Sequence, residues 1–152
     1  MNNQQPNETS TKSGLFWLPL ESEPKMPGAP TLHLWLTIDT PNLQANGCAE
    51  VTQALEHPVV ATSHVTGPVI YETVMGPGSK IRIDLSGYPQ IHWPSGGGIG
   101  PVIPKNFTAM VLLDTNWQQG TVHYQYMTQS GAWQEVRQEI RISSQQRARF
   151  AA

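Results

Sequence analysis

Acidic and imidazole side chains on predicted strands are the groups of this sequence that could transfer protons. Asp39 leads them because it shares a face of its predicted strand with His33 and Trp35. A carboxylate or imidazole facing an apolar interior has a shifted pKa and can act as a general acid or base. His92, in a long glycine-rich loop, would close such a site as part of a lid. Asp39, His33 and His92 are therefore the candidate catalytic residues.

Metal chemistry would need several side chains that converge on one ion. The histidines are His33, His57, His64, His92 and His123. No two of them have the spacing of two or four residues that gives a local ligand pair. Strands could still bring His33, His64 and His123 together, but a surface or hydrogen-bonded role is the simpler interpretation. We expect no metal site and no other cofactor.

The long segment from Gly87 to Pro104, GYPQIHWPSGGGIGPVIP, contains no charged residue. Its run SGGGIG at 95–100 resembles a phosphate-binding loop. Such a loop needs a lysine and a serine or threonine after its last glycine, followed by a helix. Here the sequence PVIP follows instead. A nucleotide site is excluded, and the segment is better suited to a cover or a contact surface.

Aromatic side chains are the stronger signal for binding. Their faces stack on sugars or line apolar pockets, and exposed loop aromatics are enriched at binding surfaces. We expect Trp93 and Trp117, which stand beside turn residues, to be exposed at the ends of the domain. We expect Trp17 and Trp133 to pack in the core. The candidate binding residues are Trp35, Tyr88, His92, Trp93 and Trp117.

Composition excludes several classes of partner. The chain has 152 residues and a formal net charge of −2, with no basic cluster. Nucleic acid is therefore not an expected partner. Only 13% of the residues are charged, about half the usual share, and such a surface permits association with itself or a protein partner. Cys48 is the only cysteine, so no intrachain disulfide forms.

The N-terminal sequence MNNQQPNETSTKSG is polar and lacks the pattern of a Sec-type signal peptide. No apolar stretch is long enough for a transmembrane segment. We expect a cytoplasmic protein, or one exported by a route without a classical signal peptide. Residues 1–13 and 144–152 are expected to be short polar tails, the first of them disordered, around one domain at 14–143.

Hydrophobic periodicity of two predicts an all-β domain. In TLHLWLTID, the leucines and Ile38 point one way and His33, Trp35 and Asp39 the other. KIRIDLS, TVHYQYM and AWQEVRQEIRI repeat this pattern, and FTAMVLL is apolar on both faces, as expected of a central strand or one under an interface. GLFWLPL, GCAEVTQAL, PVVATSHV and PVIYETVM are weaker strands. Turn residues separate the strands, including Gly67-Pro68 between the last two.

Eight or nine antiparallel strands joined by short turns must hide their edges. A closed barrel and a β-sandwich both achieve this. Short sequential hairpins favour a single antiparallel β-barrel in mostly up-and-down order, with the sandwich as the alternative.

The combination of MPGAPTLHLWL at 26–36, GYPQIHWPSGGGIGPVI at 87–103 and AWQEV at 132–136 resembles a family of small bacterial proteins, domain of unknown function 1842. The resemblance runs from Gly14 to Ile142. It implies a bacterial source and a single domain, and it implies no activity or cofactor.

Two classes of function remain open on these grounds. The preferred one is a non-enzymatic binding or self-assembling module, such as a toxin or interaction component, that recognises a glycan, lipid or protein partner through aromatic loops. The alternative is a cofactor-free small-barrel enzyme, for example a cyclase, isomerase or hydratase, or a carrier of a small apolar ligand. The enzyme and the carrier would each need a cavity inside the barrel.

Overall fold

The computed structural model describes residues 14–53, 59–72, 78–89, 104–128 and 130–143. These residues form eight β-strands. The strands are β1 (Leu15–Glu23), β2 (Thr31–Asp39), β3 (Gln44–Thr52), β4 (Val59–Glu72), β5 (Lys80–Tyr88), β6 (Phe107–Asp114), β7 (Gln119–Met127) and β8 (Trp133–Ile142). The described part of the chain holds no helix that is long and apolar enough to cross a membrane.

Each strand pairs antiparallel with the next, and β8 pairs with β1 to close the sheet. The fold is therefore the up-and-down β-barrel that the periodicity predicts, and the sandwich alternative is wrong. The strand number is eight because PVVATSHV and PVIYETVM, expected as two strands, form the single strand β4.

The turn expected at Gly67-Pro68 does not form. Both residues lie inside β4, and Gly67 approaches the neighbouring strand β5 closely. A Cβ atom at position 67 would overlap the backbone carbonyl oxygen of Asp84. A glycine within a strand commonly marks such a close approach rather than a turn.

Alternate residues of every strand point inward and fill the barrel. An eight-stranded barrel has an interior just wide enough for side chains. Every strand contributes at least one fully or almost fully buried side chain. The largest that are fully buried are Trp117, Tyr124, Phe107, Leu18, Leu20, Leu32, Leu34, Leu36, Ile38, Ile81, Ile83 and Leu113. This packed core leaves the outward-facing residues as the surface on which a site can be built.

The contact between β1 and β8 is the shortest ladder in the barrel. Only four residue pairs join the two strands, from Leu20 opposite Ile142 to Glu23 opposite Glu139. Additional bonds reinforce this seam: the Ser143 amide donates to the Pro19 carbonyl at 3.0 Å, and Arg141 pairs with Glu23 at 2.6 Å. Local contacts thus compensate for a short ladder.

A partly buried chain of hydrogen bonds ties Gln138, just before the part of β8 that pairs with β1, to the loop between β1 and β2. The Tyr124 hydroxyl donates to Gln138 Oε1 at 2.9 Å. Gln138 Nε2 in turn donates to the Pro30 carbonyl at 2.7 Å. Burial raises the pKa of the Tyr124 hydroxyl, and the neighbouring Tyr126 raises it further. The hydroxyl must therefore stay protonated to keep this connection.

We predict that the free energy of unfolding falls once the pH passes the ordinary tyrosine pKa of about 10. Because the pKa of Tyr124 is higher in the folded protein, the stabilisation is fully present below that pH. It is lost above it, as the unfolded chain ionises first. Tyr124→Phe should lose about 1 kcal/mol at pH 8 and decline less steeply between pH 8 and pH 11 in urea titrations.

Tyr88→Phe is the matched control, since its side chain is 39% exposed and should change neither quantity. Tyr126, whose pKa burial also raises, accounts for the decline that remains in Tyr124→Phe. An unchanged alkaline decline in Tyr124→Phe would contradict the assignment.

Candidate functional site

Strand register brings four outward-facing residues of β2 to β5 into one line across the sheet. Trp35 lies opposite Cys48, Cys48 opposite His64, and His64 opposite Tyr88. We call these four residues the aromatic row. Neighbouring strands lie about 4.8 Å apart, so the row spans about 15 Å. Two of the predicted binding residues, Trp35 and Tyr88, therefore lie at its two ends.

The two ends of the aromatic row differ: a neighbouring ring stacks on Trp35 at one end, and the rings at the other end are exposed. Trp35 is half-buried, and the His33 ring stacks on it with centroids 5.8 Å apart and planes inclined by 10°. Because residues two apart on a strand share a face, this contact holds the indole against the sheet. His64 and Tyr88 are exposed. The row thus combines a fixed indole with accessible rings.

Uncharged polar side chains form a second line beside the aromatic row. Thr37, Asn46, Thr66 and Ser86 are register partners in sequence across β2 to β5, and we call them the hydroxyl row. The Thr66 hydroxyl donates to Asn46 Oδ1 at 2.7 Å. These groups can both donate and accept hydrogen bonds.

A third line runs along the other side of the aromatic row. Glu21, His33, Glu50 and Thr62 are partners across β1 to β4, and we call them the acidic row. The three rows together contain no lysine or arginine. The surface therefore offers aromatic faces flanked by neutral hydrogen-bonding groups on one side and by carboxylates on the other.

The predicted catalytic residues do not meet inside the barrel. Leu32, Leu34 and Leu36 occupy the interior positions of β2, so His33 lies on the outer face. Asp39 is at the end of β2, where its carboxylate accepts hydrogen bonds from the backbone and the side-chain amide of Asn42. Asp39 thus stabilises the turn between β2 and β3. The interior position that the enzyme alternative assigns to these two residues is wrong.

Trp117 was expected at the surface and is instead completely buried. It follows β6 in the turn to β7 and has a φ of 63°, a left-handed conformation that is rare for a bulky residue. This backbone geometry aims the indole into the barrel end, where it makes edge-on contacts with Phe16 and Tyr71. Its indole N–H has no hydrogen-bond partner within the described residues. Trp117 fills one end of the barrel and is not accessible from its surface.

Trp17 and Trp133 were expected in the core and are at the surface instead. Their exposed fractions are 38% and 44%. Side chains alternate between the two faces of a strand, and Leu18 on β1 and Val136 on β8 face inward. Trp17 and Trp133 therefore face outward. Trp17 lies opposite Thr37 and so extends the hydroxyl row onto β1.

The remaining predicted site residues, His92 and Trp93, lie outside the described residues. Sequence reasoning missed His64 as a binding residue and considered it only as a metal ligand. His64 is recognised only from the strand register, which places it opposite Tyr88, 24 positions later in the chain. Among the residues that the structure describes, no three histidine, cysteine, aspartate or glutamate side chains cluster in a way that could hold a metal ion.

A separate groove of about 610 Å³ lies across β6, β7 and β8. Met110 and Leu112 of β6 line it together with Met26 and Ala29 of the loop between β1 and β2. The two outward β6 residues explain why FTAMVLL is apolar on both faces. Charged residues, including Lys25 and Glu139, border the groove.

A family model described as domain of unknown function (DUF1842) matches residues 13–133. That range contains β1 to β7 and ends at the first residue of β8. A search of curated proteins finds no match for the chain.

We predict that Trp117→Ala removes about 3–5 kcal/mol from the free energy of unfolding, the usual cost of emptying a buried tryptophan site. Trp133→Ala is the matched control and should cost under about 1 kcal/mol, because Trp133 lies on the outer face and is 44% exposed. Urea denaturation followed by circular dichroism measures both. Equal losses in the two variants would contradict the role of Trp117 as the closure of the barrel end.

Proposed function

Because the chain belongs to the family described as domain of unknown function (DUF1842), a description that carries no activity, we propose its function from its surface. The protein is a non-enzymatic binding module that holds a neutral oligosaccharide along the aromatic row. The observation that carries this proposal is the register that aligns Trp35, His64 and Tyr88 on one outer face.

The chemistry of the three rows fits a sugar chain. Pyranose rings present apolar C–H faces that stack on aromatic rings, and hydroxyls around their edges. The aromatic row supplies the faces. The hydroxyl row and the carboxylates of the acidic row supply acceptors and donors for the sugar hydroxyls. An extended chain lying across the strands would contact all three rows at once.

Charge separates this ligand from other polymers that stack on aromatic rings. Single-stranded nucleic acid also stacks on exposed aromatic side chains, but its binding grooves are positively charged. The three rows lack basic residues, and Glu21 and Glu50 flank the aromatic row. Repulsion from these carboxylates disfavours phosphates and acidic sugars. The proposal is therefore restricted to neutral glycans.

A small apolar ligand is a weaker fit to this surface. Such ligands bind in concave, mainly apolar pockets, whereas the aromatic row is an open sheet face with polar rows beside it. A carrier would need an empty space inside the barrel, but packed side chains occupy that interior.

Preorganisation supports binding at this face. All three rows lie on paired strands, so their spacing is fixed before the ligand arrives, and less conformational entropy is lost on binding. The stacked His33 ring restrains Trp35 in the same way. The site consequently depends on strand register rather than on a loop that must close.

We predict that Trp35→Ala and Tyr88→Ala each weaken binding of a neutral oligosaccharide by about tenfold, which corresponds to about 1.4 kcal/mol. A glycan array first selects the oligosaccharide, and isothermal titration with that sugar in monovalent form then measures affinity. Trp133→Ala is the control of the same residue type on β8 and should bind as the wild type does. Thermal melting of each variant confirms that the barrel is intact.

Two outcomes would overturn the proposal: no neutral glycan retained by the wild type, or undiminished affinity in both aromatic-row variants. A glycan whose binding is lost in Met110→Ala would move the site to the groove. Retention of a protein or a lipid in place of a glycan would replace the ligand class.

A further inference from the structure

Among the residues that the structure describes, no strand pairs with the outer backbone edge of the first half of β8. β7 pairs with β8 from Trp133 to Arg141, but β1 pairs with β8 only from Glu139 onward. Of the eight described strands, only β7 therefore pairs with the segment from Trp133 to Gln138. An unpaired strand edge is a template for another strand.

The direction of each peptide group in this segment follows from two bonds near the end of β8. The Ile142 amide donates to Gln118 ahead of β7, and the next amide, of Ser143, donates to Pro19 of β1. Peptide groups alternate between the two sides of an antiparallel strand. Those of Trp133, Glu135 and Arg137 therefore point away from β7, and within the described residues none of them is hydrogen-bonded.

The side chains of this edge alternate in charge. Glu135 and Arg137 both face outward, with Val136 between them facing inward. Glu135 Oε1 contacts His123 Nε2 at 2.5 Å, which leaves its second oxygen available to another donor. The edge is thus marked by one anionic and one cationic side chain, two residues apart.

We propose that this edge binds the same edge of a second copy of the chain, antiparallel, with a two-fold axis at Val136. In that register Glu135 of each copy lies opposite Arg137 of the other. The peptide groups of these residues form a closely paired set of hydrogen bonds on either side of the axis. Opposite charges directly across an antiparallel pair stabilise it.

Other registers compatible with the peptide directions are less favourable. An axis at Glu135 places two glutamates against each other, and an axis at Arg137 places two arginines together. Like charges directly opposite are destabilising. An axis at Gln134 pairs Trp133 with Glu135 and leaves Arg137 without a partner strand. Charge complementarity therefore selects the axis at Val136.

The dimer is independent of the proposed glycan site. The aromatic row lies on β2 to β5 and the pairing edge on β8, so neither surface covers the other. Two copies joined at β8 would carry two aromatic rows, and a polymeric glycan would bind more tightly than a monovalent sugar. The interface is short, because pairing of β8 with β1 begins at Glu139, so the dimer depends on protein concentration.

Charge reversal tests the register directly. Glu135→Arg and Arg137→Glu each create like charges across the proposed interface, and each should weaken self-association by at least about tenfold. Mixing the two variants restores both opposite-charge pairs and should give a heterodimer. The double variant E135R/R137E should self-associate as the wild type does. Sedimentation velocity over a range of concentrations of the full chain measures each of these.

Lys105→Glu is the control, since it makes the same change of charge at an exposed residue ahead of β6, outside β8 and its seam with β1. It should leave the dimerisation constant unchanged. A wild type that stays monomeric at the highest concentration would overturn the inference. So would a dimer that is insensitive to Arg137→Glu, or single variants that fail to form a heterodimer. Thermal melting of each variant separates loss of pairing from loss of folding.

Discussion

Closure of the sheet between β1 and β8 is the constraint on which the rest of this structure depends. Until these strands meet, the sheet has two long edges and neither face is fixed as the interior. Four residue pairs, the backbone hydrogen bond from Ser143 to Pro19 and the ion pair between Arg141 and Glu23 complete the ring. Closure then commits alternate residues of all eight strands to the interior, since a shift of one residue would move every side chain to the other face.

The packed interior is the reason that we place the proposed function on the outside of the barrel. Leucine, isoleucine and aromatic side chains occupy the inward positions, and Trp117 closes one end. The same closure that fills the core aligns Trp35, Cys48, His64 and Tyr88 outside it. Because β1 covers only part of β8, it also leaves the edge that we assign to self-association. Both proposed surfaces are consequences of one register.

The sequence predicted the strands and the barrel well, because hydrophobic alternation is a local signal. It failed where geometry depends on a neighbouring strand. Gly67-Pro68 has the composition of a turn. Gly67 nevertheless lies inside β4, where the absence of a side chain lets the backbone of Asp84 on β5 come close. Trp117 stands in a predicted turn, but only its left-handed backbone directs the indole inward. Trp17 and Trp133 were expected in the core because of their size, but their positions in the alternation of β1 and β8 turn them outward. His64 and Tyr88 become neighbours through register, which alternation within one strand cannot reveal.

Chemical-shift mapping tests whether the aromatic row on β2 to β5 binds the glycan. The ¹⁵N-labelled full chain is titrated with the neutral oligosaccharide that it retains, and each assigned amide is followed. We expect the largest shifts at Trp35, Cys48, His64, Tyr88 and the flanking hydroxyl and acidic rows, while the amides of β6 to β8 stay in place. Shifts concentrated along the groove of β6 to β8, or spread through the barrel interior, would contradict it.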